Sequence, residues 1–141
     1  MNYLILLILF NFIINMIIED YVSFNVAKLL KEKGFNEACH TFYDNGHKHI
    51  LKFVQKGLCN NAAIIANNGI CVAPTLQMAM KWLREIHGLF IHIDIIREAS
   101  CWLVDIQDIK GDVAIYPIKD EFPKYEEACK AAIKYCLENL I

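Results

Sequence analysis

Two neighbouring stretches alternate so regularly that they dictate much of what surrounds them. In LFIHIDII, Leu89, Ile91, Ile93 and Ile95 point one way and Phe90, His92, Asp94 and Ile96 the other. In CWLVDIQDI, Trp102, Val104 and Ile106 share one side while Leu103, Asp105 and Gln107 share the other. A period of two is the signature of a strand. Joined through the short Arg97–Ser100 loop as an antiparallel pair, the two strands put both apolar sets on one face. His92, Asp94 and Asp105 gather on the opposite face. A slip of one residue would bury those charges, so the parity of the register is fixed. One half-polar face is what a sheet covered on a single side presents. A third strand is expected over Val113–Ile118, after a Lys110-Gly111-Asp112 turn. Pro117 cannot donate to a ladder and assigns that strand to an edge.

An apolar face needs a cover, and three helical patterns supply one. Ser23 is a suitable N-cap for FNVAKLLKEK, whose stripe is Val26, Leu29 and Leu30. Gly34 is the natural stop, with Phe35 folding back on the last turn. APTLQMAMKWLREIHG carries a cap at Thr75, a stop at Gly88 and an inward stripe of Leu76, Ala79, Met80, Leu83 and Ile86, flanked by Met78 and Trp82. Such a Met and aromatic stripe is core rather than a cofactor box. Residues 125–140 form the last helix, with Tyr125, Cys129, Ala132, Ile133, Cys136 and Leu140 facing in and Glu126 and Lys130 paired outside. Between the first two helices, Cys39–Tyr43 and His47–Val54 are strand-like and flank Asp44-Asn45-Gly46, a hairpin signal. Ile70-Cys71-Val72 then leads into Pro74. The expected fold is α+β: a small antiparallel sheet with three main helices, preceded by an N-terminal apolar segment. Residues 19–141 make a single domain, since 141 residues bury one core and not two.

The apolar segment is residues 1–18, MNYLILLILFNFIINMII, with no charged side chain. As a helix it would cover about 27 Å, just under a hydrocarbon core of about 30 Å. It lacks the basic start and small-residue cleavage site of a signal peptide. As a signal anchor, followed by Lys28, Lys31 and Lys33, it would leave the domain on the cytoplasmic side. The alternative is that Met16 is the start, so that residues 1–15 are an upstream extension. Past that run the charges nearly cancel, for a net −2, and are scattered. No electrostatic footprint for a nucleic acid results. The six cysteines form no C-x-x-C pair and sit among apolar residues. Reduced thiols of a cytoplasmic domain are expected.

APTLQMAMKWLREIHGLFIHI, with YEEACKAAIKYCLENLI after it and MIIEDYVSFNVAKLLKEKGF before it, resembles a group of small proteins of gut Bacteroidales and their phages and prophages. The resemblance covers roughly residues 16–141 and is weakest between 44 and 70. The group has no assigned activity, so it implies no ligand and no catalytic residue. It implies a phage or prophage accessory setting, and it implies Met16 as a start.

Chemistry has few places to sit. Cys39, His40, His47, His49 and Cys59 are the candidate ligands of a zinc site on the first hairpin, although the tight ligand pairs of structural zinc are missing. His92, Asp94 and Asp105 place imidazole beside carboxylate, a general-base pair in principle. Nothing marks a nucleophile, a phosphate loop or an oxyanion hole. The expectation is therefore a non-enzymatic binding or adaptor protein without a cofactor, acting on a protein partner. Its interaction face would carry Phe90, His92, Asp94, Asp105 and Gln107. The alternatives are a membrane-anchored small protein and the zinc-binding hairpin.

Overall fold

A computed structural model describes residues 18–44, 51–55, 57–63, 69–110 and 115–141. In chain order the elements are α1 (Phe24–Glu32), β1 (Thr41–Tyr43), β2 (Lys52–Phe53), β3 (Cys71–Val72), α2 (Leu76–Trp82), a π-helical turn (Leu83–His87), β4 (Leu89–Ile96), β5 (Cys101–Asp108), β6 (Ile115–Phe122) and α3 (Tyr125–Asn139). The α+β expectation holds with its three helices. The strands, however, divide into two antiparallel three-stranded sheets, ordered β2-β1-β3 and β4-β5-β6. The apolar run at 1–17 lies outside the described residues, and no helix among those described is long and apolar enough to cross a membrane.

The first helix begins and ends where its chemistry dictates. Ser23 is extended, and its hydroxyl accepts from the Val26 N–H, relieving one unpaired donor of the first turn. At the other end Gly34 takes a φ of +90°. Its N–H donates to the Lys31 carbonyl at 3.2 Å, and the Phe35 N–H donates to the Leu30 carbonyl at 2.8 Å. This is a Schellman stop, which needs a left-handed residue that glycine supplies without strain. It turns Phe35 into the core, where it is 1% exposed.

Phe35 then anchors the small sheet. Its carbonyl accepts from the buried Asn61 amide, whose own oxygen accepts from the Val72 N–H. Both ends of a polar side chain are satisfied, so its burial is tolerated. The expected first hairpin is present in its pairing, Thr41 with Phe53 and Phe42 with Lys52. Its strands are shorter than expected, and its Asn45-Gly46 tip lies outside the described residues. The Tyr43 hydroxyl donates to the Val22 carbonyl at 2.9 Å, tying the sheet to the chain entering α1.

The central helix departs from expectation in one respect. Thr75 caps it as foreseen, its hydroxyl accepting from the Met78 N–H at 3.2 Å, and Gly88 closes it in the left-handed region. The last turn, Leu83–His87, is π-helical rather than α-helical. A π turn holds an extra residue, which rotates everything beyond it relative to the α-helical stripe. Ile86, expected inside, is 53% exposed, while Trp82, expected at the margin, is 6% exposed.

The second sheet matches its expected parity. Leu89, Ile91 and Ile93 share a face with Trp102, Val104 and Ile106, and α3 packs against it. The inner side of α3 is Ala128, Cys129, Ala132, Ile133, Cys136 and Leu137, all fully buried. Tyr125 and Leu140 are only half-buried at its ends. Lys130 reaches Asp20 at 3.5 Å. The third strand runs past Pro117 to Phe122, with an irregularity opposite Trp102 and Val104.

Candidate interaction face

The exposed side of the second sheet collects the five residues expected there. His92 lies directly across from Asp105 and Phe90 directly across from Gln107. His92 Nε2 is 3.2 Å from Asp94 Oδ2 within one strand, because residues two apart on a strand share a face. The Phe90 and His92 rings stand 6.4 Å apart, tilted by 31°. His92, Asp94 and Asp105 are exposed, Gln107 is half-buried, and Phe90 is 38% exposed. A polar contact so open to water contributes about 0–1 kcal/mol at most, so these side chains are not there to hold the fold. The face extends further than the alternation alone indicated. Ile109, 54% exposed, follows Gln107 by two residues and donates its N–H to the Gly88 carbonyl at 2.9 Å. Two large apolar side chains, Phe90 and Ile109, thus sit among carboxylates and an imidazole.

The expected metal ligands come together only in part. Cys39 and Cys59 form an isolated antiparallel bridge, exchanging backbone hydrogen bonds of 2.7 and 2.9 Å. His40 is exposed while Cys39 and Thr41 on either side are buried, so alternation turns the imidazole away from the two thiols. His47 and His49 lie outside the described residues. Among the described residues no group of three or more potential ligands is placed to hold a metal. Burial pushes the Cys39 thiol up to about 11, with Cys59 and Glu37 adding to it, and burial raises Cys59 as well. Both are protonated at neutral pH. All six cysteines are free, and Cys136 is pushed up to about 12 by burial.

The π turn makes a site that helical periodicity concealed. Trp82 and His87 are five apart, off the α spacing, and the i→i+5 turn brings their rings to 4.5 Å, edge to face. His87 Nε2 is buried without a hydrogen-bond partner among the described residues. Lys110 Nζ donates to the Ile86 carbonyl, and the Lys110 side chain crosses Gly88 where a Cβ would stand. Burial lowers the His87 pKa below its ordinary 6.5, and Lys110 and Lys33 lower it further. The folded chain therefore holds fewer protons than the unfolded one just below pH 6.5, and stability falls as pH drops through that window. In His87→Gln the loss of stability between pH 7 and 5 is expected to be shallower than in the wild type, as read by urea titrations across pH. An unchanged slope would show that His87 is not the group responsible.

No family model matches the chain, and no solved structure matches it. A similarity exists to adenylosuccinate synthetase of Actinobacillus succinogenes, 25% identical over 88 residues that make up 62% of this chain and 20% of that protein. The chain thus spans about a fifth of the length of the relative it matches.

Proposed function

We propose that this chain is a small non-enzymatic binding or adaptor domain that takes a protein partner on the open face of its second sheet. The observation that carries this reading is the sidedness of that sheet: α3 covers one face, while Phe90, Ile109, His92, Asp94 and Asp105 stand together in water on the other. Aromatic and aliphatic anchors ringed by polar groups are the composition of a recognition patch. A phage or prophage accessory role is the setting we propose, on the strength of the resemblance over residues 16–141. The cytoplasm suits six free thiols, with the domain either free or tethered there through residues 1–18. The partial match to adenylosuccinate synthetase lends no activity to this reading, since it spans so little of that enzyme.

The test is affinity capture from the native host with the full chain, alongside Phe90→Ser/Asp105→Lys and a control, Lys81→Ala, on the exposed side of α2. The partner identified by mass spectrometry is then purified and titrated. The face variant should weaken binding by at least about tenfold, which is about 1.4 kcal/mol, and the control should bind as the wild type does. A partner held equally by both variants would move the binding site elsewhere. Failure to retain any partner would remove the adaptor reading.

A further inference from the structure

Strand β4 is an edge, and its pattern of apolar and polar positions reads the same in both directions. The bond from the Ile109 N–H to the Gly88 carbonyl, together with the β4–β5 register, sets the phase of the ladder. Phe90, His92, Asp94 and Ile96 exchange their hydrogen bonds with β5, and the N–H and C=O groups of Leu89, Ile91, Ile93 and Ile95 point away from it. Among the described residues no backbone group meets that outer row. The other edge of the sheet is different. Pairing of Asp105 with Pro117 leaves the proline backbone facing outward, where its missing N–H breaks the row. Of the two edges, β4 alone presents an unbroken template for another strand.

About Ile93 the strand is a palindrome of apolar and polar positions, with its one imidazole and one carboxylate placed symmetrically. Ile91 and Ile95 flank it on the helix-covered side, and His92 and Asp94, then Phe90 and Ile96, flank it on the open side. We propose that a second copy of this chain occupies the edge, giving a two-fold symmetric dimer through antiparallel β4–β4 pairing centred on Ile93. Ile93 then opposes Ile93 of the second copy, and Ile91 opposes Ile95. His92 opposes Asp94, Asp94 opposes His92, and Phe90 opposes Ile96. Each imidazole of the strand meets a carboxylate, twice over by symmetry. Charge selects this register: centring the pair on His92 sets imidazole against imidazole, and centring it on Asp94 sets carboxylate against carboxylate. Ile95 supports the same arrangement. It has the parity of the covered face yet is 50% exposed, and Ile91 of the second copy would cover it. The two open faces would join into one continuous sheet surface. The dimer stands apart from the partner proposed above, because it is measured on this chain alone.

The experiment is sedimentation velocity on the full chain over a concentration series. The wild type should dimerise. His92→Asp sets two pairs of carboxylates against each other and should raise the dimer dissociation constant by at least about tenfold. The exchange His92→Asp/Asp94→His restores both cross-pairs and should recover dimerisation. Within one chain, Asp at position 92 faces Asp105 in the single and the double variant alike, while the exchange also restores the His–Asp neighbours within the strand. Recovery reports pairing between copies when circular dichroism and urea midpoints show the single variant as natively folded as the double. Ile95→Lys changes an exposed side chain, keeps the fold and should also give monomer, with circular dichroism confirming native structure. A folded wild type that is monomeric at every concentration overturns the proposal. So does a dimer indifferent to His92→Asp and Ile95→Lys, or an exchange that restores nothing.

Discussion

Phe35→Ala is expected to lower the unfolding free energy by about 3–5 kcal/mol, the range for removing a buried aromatic side chain. The residue has three roles at once. It is the closing side chain of the α1 stop, it is 1% exposed, and its ring meets Trp82 at 5.4 Å and 68°. The aromatic contact adds about 0.5–1.5 kcal/mol beyond simple burial. Neighbours from α1, α2 and the small sheet converge on this position, so the void left by truncation has few ways to collapse. Urea denaturation followed by tryptophan fluorescence measures the loss, and Trp82 should report a wetter environment in the folded variant. A loss below about 1 kcal/mol would mean that the ring is not a packing centre, and the account of how α1 docks would be wrong.

The same residue shows how far the sequence could be followed. Local rules placed Ser23, Gly34 and Phe35 in their roles because capping and stopping a helix depend on neighbours in the chain. Alternation placed Phe90, His92, Asp94, Asp105 and Gln107 on one face, because strand parity is likewise local and the buried set leaves no second choice. What escaped was set by long-range pairing. Strand β1 pairs with β2 and β3 in a sheet of its own rather than with the strands at 89–118, and beside it Asn61 links Phe35 to Val72. No periodicity announces such a clamp. Of the candidate ligands, Cys39 and Cys59 meet at a backbone bridge that no spacing in the sequence announces, while His47 and His49 lie outside the described residues. Ile109 was passed over because it follows the last alternating residue, although the ladder carries the face on to it.

The π turn is the sharpest case, and a pair of substitutions resolves it. Leu83 is fully buried and opens the turn. Leu83→Ala should cost about 2–5 kcal/mol, the transfer of its side chain plus the cavity it leaves. Ile86 is three residues on. In an unbroken α-helix it would lie on the same ridge as Leu83, buried against the same neighbours, and truncating it would cost a similar amount. The extra residue of the π turn swings it out to 53% exposure, so Ile86→Ala should stay within about 0.5 kcal/mol of the wild type. Chemical denaturation of the two variants separates the geometries. Equal, large losses mean that the helix runs α to Gly88, and the Trp82–His87 contact, with the unpartnered imidazole it shelters, goes with it. A large loss at Leu83 beside almost none at Ile86 fixes the wide turn in solution. It follows that a residue pair five apart, which helical spacing treats as unrelated, is here the joint between the core helix and the edge strand it feeds.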